Sequence, residues 1–106
     1  MDLTELAAAF LERFKGLDRA HGKYVVQKPE PGKKIGGKAV TETGPATQEL
    51  WEMHLQGGDG LGVVPIMDGN VCWFGADDID RYDLDLPALA AEIERLGLPL
   101  ILCRTK

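Results

Sequence analysis

The chain has 106 residues, of which 44% are hydrophobic and 27% charged, proportions that fit one small globular domain and exclude disorder as the default. No apolar stretch approaches the roughly 20 residues that cross a bilayer, and the N-terminus lacks the basic start and continuous apolar run of a signal peptide, so a cytoplasmic location is expected. Net charge is −5 but unevenly spread: residues 1–40 hold eight Lys/Arg against five Asp/Glu, and residues 41–106 hold four against twelve. That division suits phosphate binding in front and metal binding behind.

Asp2 is placed to cap a first helix with Glu5 as its reciprocal partner, and Leu3, Leu6, Ala7, Phe10 and Phe14 recur at helical spacing until Gly16 stops the run. A short strand is expected near Tyr24–Gln27. From Lys28 to Gly44 the chain is rich in Lys, Gly and Pro and has no sustained apolar period, which predicts a loop or arm. Such a segment is either plain solvated loop or a phosphate-contacting flap, with Lys33, Lys34 and Lys38 supplying charge and Gly allowing backbone amides to approach an anion. It is not a P-loop, because the Gly-Lys-[Ser/Thr] ending is absent.

A second helix is expected from about Pro45 to Leu55, with Leu50, Trp51 and Leu55 inward and Gly57-Gly58 ending it. Its His54 reads as a packed, hydrogen-bonded residue rather than a ligand. Asp68-Gly69-Asn70 then separates two apolar runs, Leu61–Met67 and Val71–Ala76, a strong hairpin signal in which Pro65 bends the first arm or places it on an edge. Asp83 or Asp85 caps a third helix with Pro87 in its first turn and Leu86, Leu89, Ala90, Ile93 and Leu96 as its buried stripe. Gly97 closes that helix, and Leu98–Cys103 reads as a strand that could lie parallel to Val71–Ala76 in a mixed sheet. Cys72 and Cys103 fall inside these apolar runs and are expected to be buried, reduced thiols; no Cys-x-x-Cys or neighbouring His supports a zinc site.

Five acids follow the second hairpin arm within nine residues: Asp77, Asp78, Asp80, Asp83 and Asp85. On a strand, Asp78 and Asp80 would share a face and stand roughly 7 Å apart at Cα, close enough to converge on Mg²⁺ or straddle a pair of ions. An EF-hand is excluded, since Tyr82, Asp83 and Leu89 occupy positions that such a loop gives to a ligand, to Gly and to the bidentate Glu. A glycosidase pair is disfavoured, because acid and nucleophile need different environments to separate their pKa values. Capping and the helix dipole account for Asp83 and Asp85. They do not account for Asp78 and Asp80, whose mutual repulsion at a strand end gains little without a cation.

Taken together, Leu61-Gly62-Val63-Val64-Pro65-Ile66, Val71-Cys72-Trp73-Phe74-Gly75-Ala76-Asp77-Asp78-Ile79-Asp80, Leu96-Gly97-Leu98-Pro99 and Leu102-Cys103-Arg104-Thr105-Lys106 resemble the archaeo-eukaryotic primase superfamily, in particular primase-polymerase domains of phages, plasmids and conflict systems. Phe14-Lys15-Gly16, Ala20-His21-Gly22 and Trp51-x-x-His54-Leu55-x-Gly57 look like the lead-in of such domains. The resemblance implies Asp78 and Asp80 as catalytic metal ligands for Mg²⁺ or Mn²⁺, Arg104 and Lys106 near the nucleotide-binding region, and nucleic acid and nucleotides as partners. The family pattern continues into a Ser-x-His motif and a further metal-binding Asp, neither of which occurs before Lys106. The expectation is therefore an α+β fold, a small mixed β-sheet with two or three helices, equivalent to half of a primase-polymerase catalytic core and catalytically incomplete by itself. The alternative is a stand-alone, phage-encoded binding or inhibitor protein of anti-defence, anti-CRISPR-like type, acting on a host protein. In either case an exposed sheet edge would be open to homodimerisation.

Overall fold

The computed structural model describes residues 1–28, 30–33 and 36–103; Lys34, Arg104 and Lys106 lie outside them. The chain divides into two units, Met1–Ala76 and Asp77–Lys106. The fold is α+β, as expected, with three helices and a three-stranded sheet among the described residues.

In the first unit, α1 (Leu3–Arg13) begins where the sequence predicts, with the Glu5 amide donating to Asp2 Oδ1 at 2.8 Å. The helix α2 (Gln48–Leu55) starts three residues later than Pro45, because Thr47 takes the cap and its hydroxyl accepts from the Leu50 amide at 3.3 Å. At its far end the amides of Gly57 and Gly58 donate to the carbonyls of His54 and Met53, at 3.0 and 2.9 Å, closing the helix with a left-handed Gly57. That pattern satisfies carbonyls that the helix leaves open.

The two helices meet through aromatic rings. Trp51 lies 5.2 Å from Phe10 and 6.0 Å from Phe14, ring centre to ring centre, and Phe14 meets Phe74 edge-on at 5.3 Å. Among the described residues, Ala7 and Trp51 are the buried apolar ones of this core. The small side chain of Ala7 suits the close approach of helices, and Gln48 Nε2 adds a bond to the Thr4 carbonyl at 3.3 Å.

The sheet runs in the order β2-β1-β3, with β1 (Ala20–Val26) central, β2 (Gly37–Thr43) on one side and β3 (Gly60–Gly62) on the other. Both pairings are antiparallel. The strand expected near Tyr24–Gln27 is thus longer and begins earlier, and the segment expected to be loop through Gly44 contains a seven-residue strand. Pairing with β1 overrides the weak local signal of Lys38-Ala39-Val40-Thr41. His21, buried on β1, donates through Nδ1 to the Gly44 carbonyl at 2.8 Å; a carbonyl can only accept, so this nitrogen carries the proton.

The Asp68-Gly69-Asn70 turn forms, with Gly69 and Asn70 at φ 87° and 58°, but its arms do not extend as a hairpin. Met67 and Val71 make a single bridge. The first arm is engaged elsewhere: Gly60–Gly62 pairs with β1, and the Val64 carbonyl accepts from the Leu17 amide at 2.8 Å. A Cβ at Gly16 would collide with Val63 Cγ1 and the Val64 carbonyl, so only glycine permits this approach. Val71–Ala76 is therefore irregular beyond Val71, and Leu98–Cys103 is likewise not a strand. The expected mixed sheet with a parallel pair is replaced, among the described residues, by an antiparallel one. Cys72 and Cys103 are free and exposed rather than buried, because the strands that would have buried them do not form.

In the second unit, α3 (Leu86–Arg95) is capped by Asp85, whose Oδ1 accepts from the Ala88 amide at 3.0 Å, with Pro87 in the first turn. Gly97, at φ 64°, ends it as expected: its amide donates to Glu94 and that of Leu98 to Ile93, at 3.0 and 3.2 Å. The predicted buried stripe is only partly realised. Leu86, Leu89 and Ile93 are half-buried, whereas Ala90 and Leu96 are exposed.

Replacing Trp51 tests the core directly. Trp51→Ala should lower the free energy of urea unfolding by about 3–5 kcal/mol. Trp51→Phe should cost much less, because Nε1 of Trp51 is buried without a partner and its removal relieves a penalty of about 1–3 kcal/mol. Equal losses in the two variants would contradict the packing described.

Candidate functional site

The acidic cluster lies wholly in the second unit, in the irregular, exposed segment between Asp77 and α3. Asp78 and Asp80 are not on a strand, so the same-face relation expected of them is not imposed by backbone pairing. The reason is that Val71–Ala76, which was to deliver them, lacks a partner strand.

What the structure does is sort the acids. Asp83 binds Arg81 through both carboxylate oxygens, at 3.1 Å from Nε and 2.9 Å from Nη2, a bidentate geometry that favours the charged carboxylate. The Arg81 guanidinium, aided by a backbone hydrogen bond, holds the Asp83 carboxyl below its ordinary range. Asp85 is committed to the α3 N-terminus. Asp77, Asp78 and Asp80 are exposed and, among the described residues, make no side-chain hydrogen bond or ion pair. The pairing of Arg81 with Asp83 was not anticipated from sequence, although alternating charges two residues apart are a visible signal for it.

Of the expected basic contacts, Lys33 sits in the turn joining β1 to β2, where its Nζ is 3.0 Å from Glu30 Oε2. The Lys33 amide also donates to the Glu30 carbonyl at 3.2 Å. Lys38 is on β2 rather than in a loop, and is exposed. Lys34, Arg104 and Lys106 fall outside the described residues.

The two histidines are structural. His54 Nδ1 donates to the Asp59 carbonyl at 3.0 Å, and its ring stands edge-on to Trp51 at 6.0 Å. His21 joins β1 to the end of β2. Among the described residues no group of three or more His, Cys, Asp or Glu side chains is arranged to hold a metal ion. No described helix is long and apolar enough to cross a membrane.

Comparison with family models, with curated proteins and with solved structures finds no match to this chain.

The Arg81–Asp83 pair has a measurable signature. Since the folded-state pKa of Asp83 is depressed, the pair contributes at neutral pH and its contribution is lost as pH falls through that depressed value. In Arg81→Ala the Asp83 carboxyl should titrate higher, near an ordinary aspartate, when followed by carbon-detected NMR. An unchanged midpoint would show that the guanidinium is not the cause.

Proposed function

We propose that this chain supplies the metal-binding acids of a primase-polymerase nucleotidyltransferase, with Asp78 and Asp80 as ligands of Mg²⁺ or Mn²⁺. The observation that carries the reading is the sorting of the cluster: Asp83 and Asp85 are spent on Arg81 and on α3, while Asp78 and Asp80 are exposed and make no ion pair among the described residues. Two carboxylates two residues apart repel, and a divalent cation converts that repulsion into binding. The donor set fits the ion, since both metals prefer carboxylate oxygens over nitrogen or sulfur.

When bound, such ions would activate the attacking 3′-hydroxyl and offset charge on the nucleotide triphosphate. The chain's own residues hold the cation and orient it. Because the segment is irregular, binding must order it, and that conformational cost weakens affinity. Phosphate contacts fall to Lys33 in the β1–β2 connection, to Lys38 on β2, and to Lys34, Arg104 and Lys106. The Lys33–Glu30 pair is exposed and therefore worth little, so a phosphate can displace Glu30. With two protein carboxylates as ligands, the 106-residue chain binds metal without completing a catalytic site.

Titration with Mn²⁺, followed by paramagnetic broadening of amide resonances, tests this reading. Broadening centred on residues 77–81 is expected, with a dissociation constant on the order of millimolar, and it should vanish in Asp78→Ala/Asp80→Ala. Primer synthesis by the wild-type chain should be negligible. Broadening that survives the double substitution would overturn the assignment. Nucleic-acid or protein binding that tolerates both changes, yet fails on charge reversal at Lys33 and Lys34, would favour the binding-module alternative.

A further inference from the structure

The strand β2 is an edge: it pairs with β1 on one side, and among the described residues no other helix or strand packs against it. Which of its backbone groups remain open follows from the alternation of an antiparallel ladder. At one end the Gln27 amide donates to the Gly36 carbonyl, and at the other the Gly44 amide donates to the Arg19 carbonyl. Counting inward from both, Lys38, Val40 and Glu42 turn their amides and carbonyls toward β1. Those of Gly37, Ala39, Thr41 and Thr43 point to the open side.

We propose that this edge pairs antiparallel with the same edge of a second copy, about a two-fold axis through Val40. Only registers that set odd-numbered residues opposite odd-numbered residues bring the open groups together. With Val40 at the axis, Ala39 faces Thr41 of the second copy and Gly37 faces Thr43, so all four outward residues are hydrogen-bonded. Val40 meets its own counterpart as a close, non-hydrogen-bonded pair. Lys38 then stands directly opposite Glu42 of the second copy, and the symmetry makes this pair twice.

The charges select that register. Moving the axis to Ala39 or Thr41 sets Lys38 against Val40 or Gly44 and leaves both charges without a partner. Moving it to Lys38 or Glu42 places like charges face to face, which is destabilising. Lys38 and Glu42 are exposed and make no ion pair within the chain among the described residues. They lie on one face of β2, as a cross-strand pair requires. The result is a six-stranded sheet continuous across two copies, an isologous interface. A seven-residue open edge with no bulge or proline is the kind that recruits another strand. The other edge, β3, has only three residues. The inference is independent of the metal reading, and in the dimer it commits Lys38 to Glu42 rather than to phosphate.

Sedimentation equilibrium of the full chain across micromolar to millimolar concentration tests the proposal. A monomer–dimer equilibrium is expected. Lys38→Glu and Glu42→Lys should each weaken it about tenfold, since each turns two attractive pairs into repulsive ones. The double exchange Lys38→Glu/Glu42→Lys should restore it. In a Cys72→Ser/Cys103→Ser background, Val40→Cys should form an intermolecular disulfide on mild oxidation, because the paired Cα atoms would lie about 4.5 Å apart. Ala39→Cys, opposite Thr41, should cross-link far less. A monomer at every concentration, a dimer indifferent to single charge reversals, or equal cross-linking of the two cysteine variants would each overturn the register.

Discussion

The indole of Trp51 is the contact on which the first unit depends. It joins α2 to Phe10 of α1 and to Phe14 at the C-cap of that helix, and Phe14 extends the cluster to Phe74. Few other side chains share the task, since among the described residues Ala7 and Trp51 are the buried apolar ones and His21 the buried polar one. In a domain this small, one large aromatic side chain provides a sizeable part of the stabilising burial. The cost is an indole N–H taken out of water without an acceptor. Stacking and burial outweigh it because the ring contacts three other rings at once, counting His54.

Helix ends were the most legible part of the sequence, because their signals act within a few residues. Asp2, Asp85, Gly57 and Gly97 each do locally what their chemistry predicts. Strands were less legible, because a strand exists only where a partner is available. Val71–Ala76 and Leu98–Cys103 have the apolar composition of strands and lack partners. The segment around Val40 has little apolar pattern and forms a complete strand because β1 presents a matching ladder. The composition of the acidic cluster was plain from sequence, as was the capping role of Asp85. Its division into engaged and free carboxylates was not, since that depends on where the Arg81 guanidinium reaches.

The failed hairpin and the free acids share a physical origin. The segment from Asp59 to Asp68 is held to the flanks of β1 by contacts that join residues far apart in sequence. Lys23 Nζ lies 3.4 Å from Asp59 Oδ2, and the Arg19 guanidinium contacts both oxygens of Asp68 at 3.2 Å. The other ion pairs among the described residues span two or three positions and fasten only local backbone. Exposed pairs contribute little one at a time. Here they act beside the β1–β3 ladder and the Leu17–Val64 hydrogen bond, so the same stretch of chain is fixed by several interactions together.

That fixation decides what the residues after the turn can do. The first arm is bonded to β1 and to Leu17, and the return from the turn ends after one bridge at Val71. The residues leading to the acids then proceed without a ladder to hold them in register. A metal pair on a strand would be preorganised by backbone pairing, with little left to order on binding. A pair on an irregular segment has to gain its geometry from the cation itself, so metal affinity and local ordering become one coupled event. Under the metal reading proposed above, an ion that neutralised Asp78 and Asp80 would also restrain the chain leading into Asp83, held by Arg81, and Asp85, which caps α3.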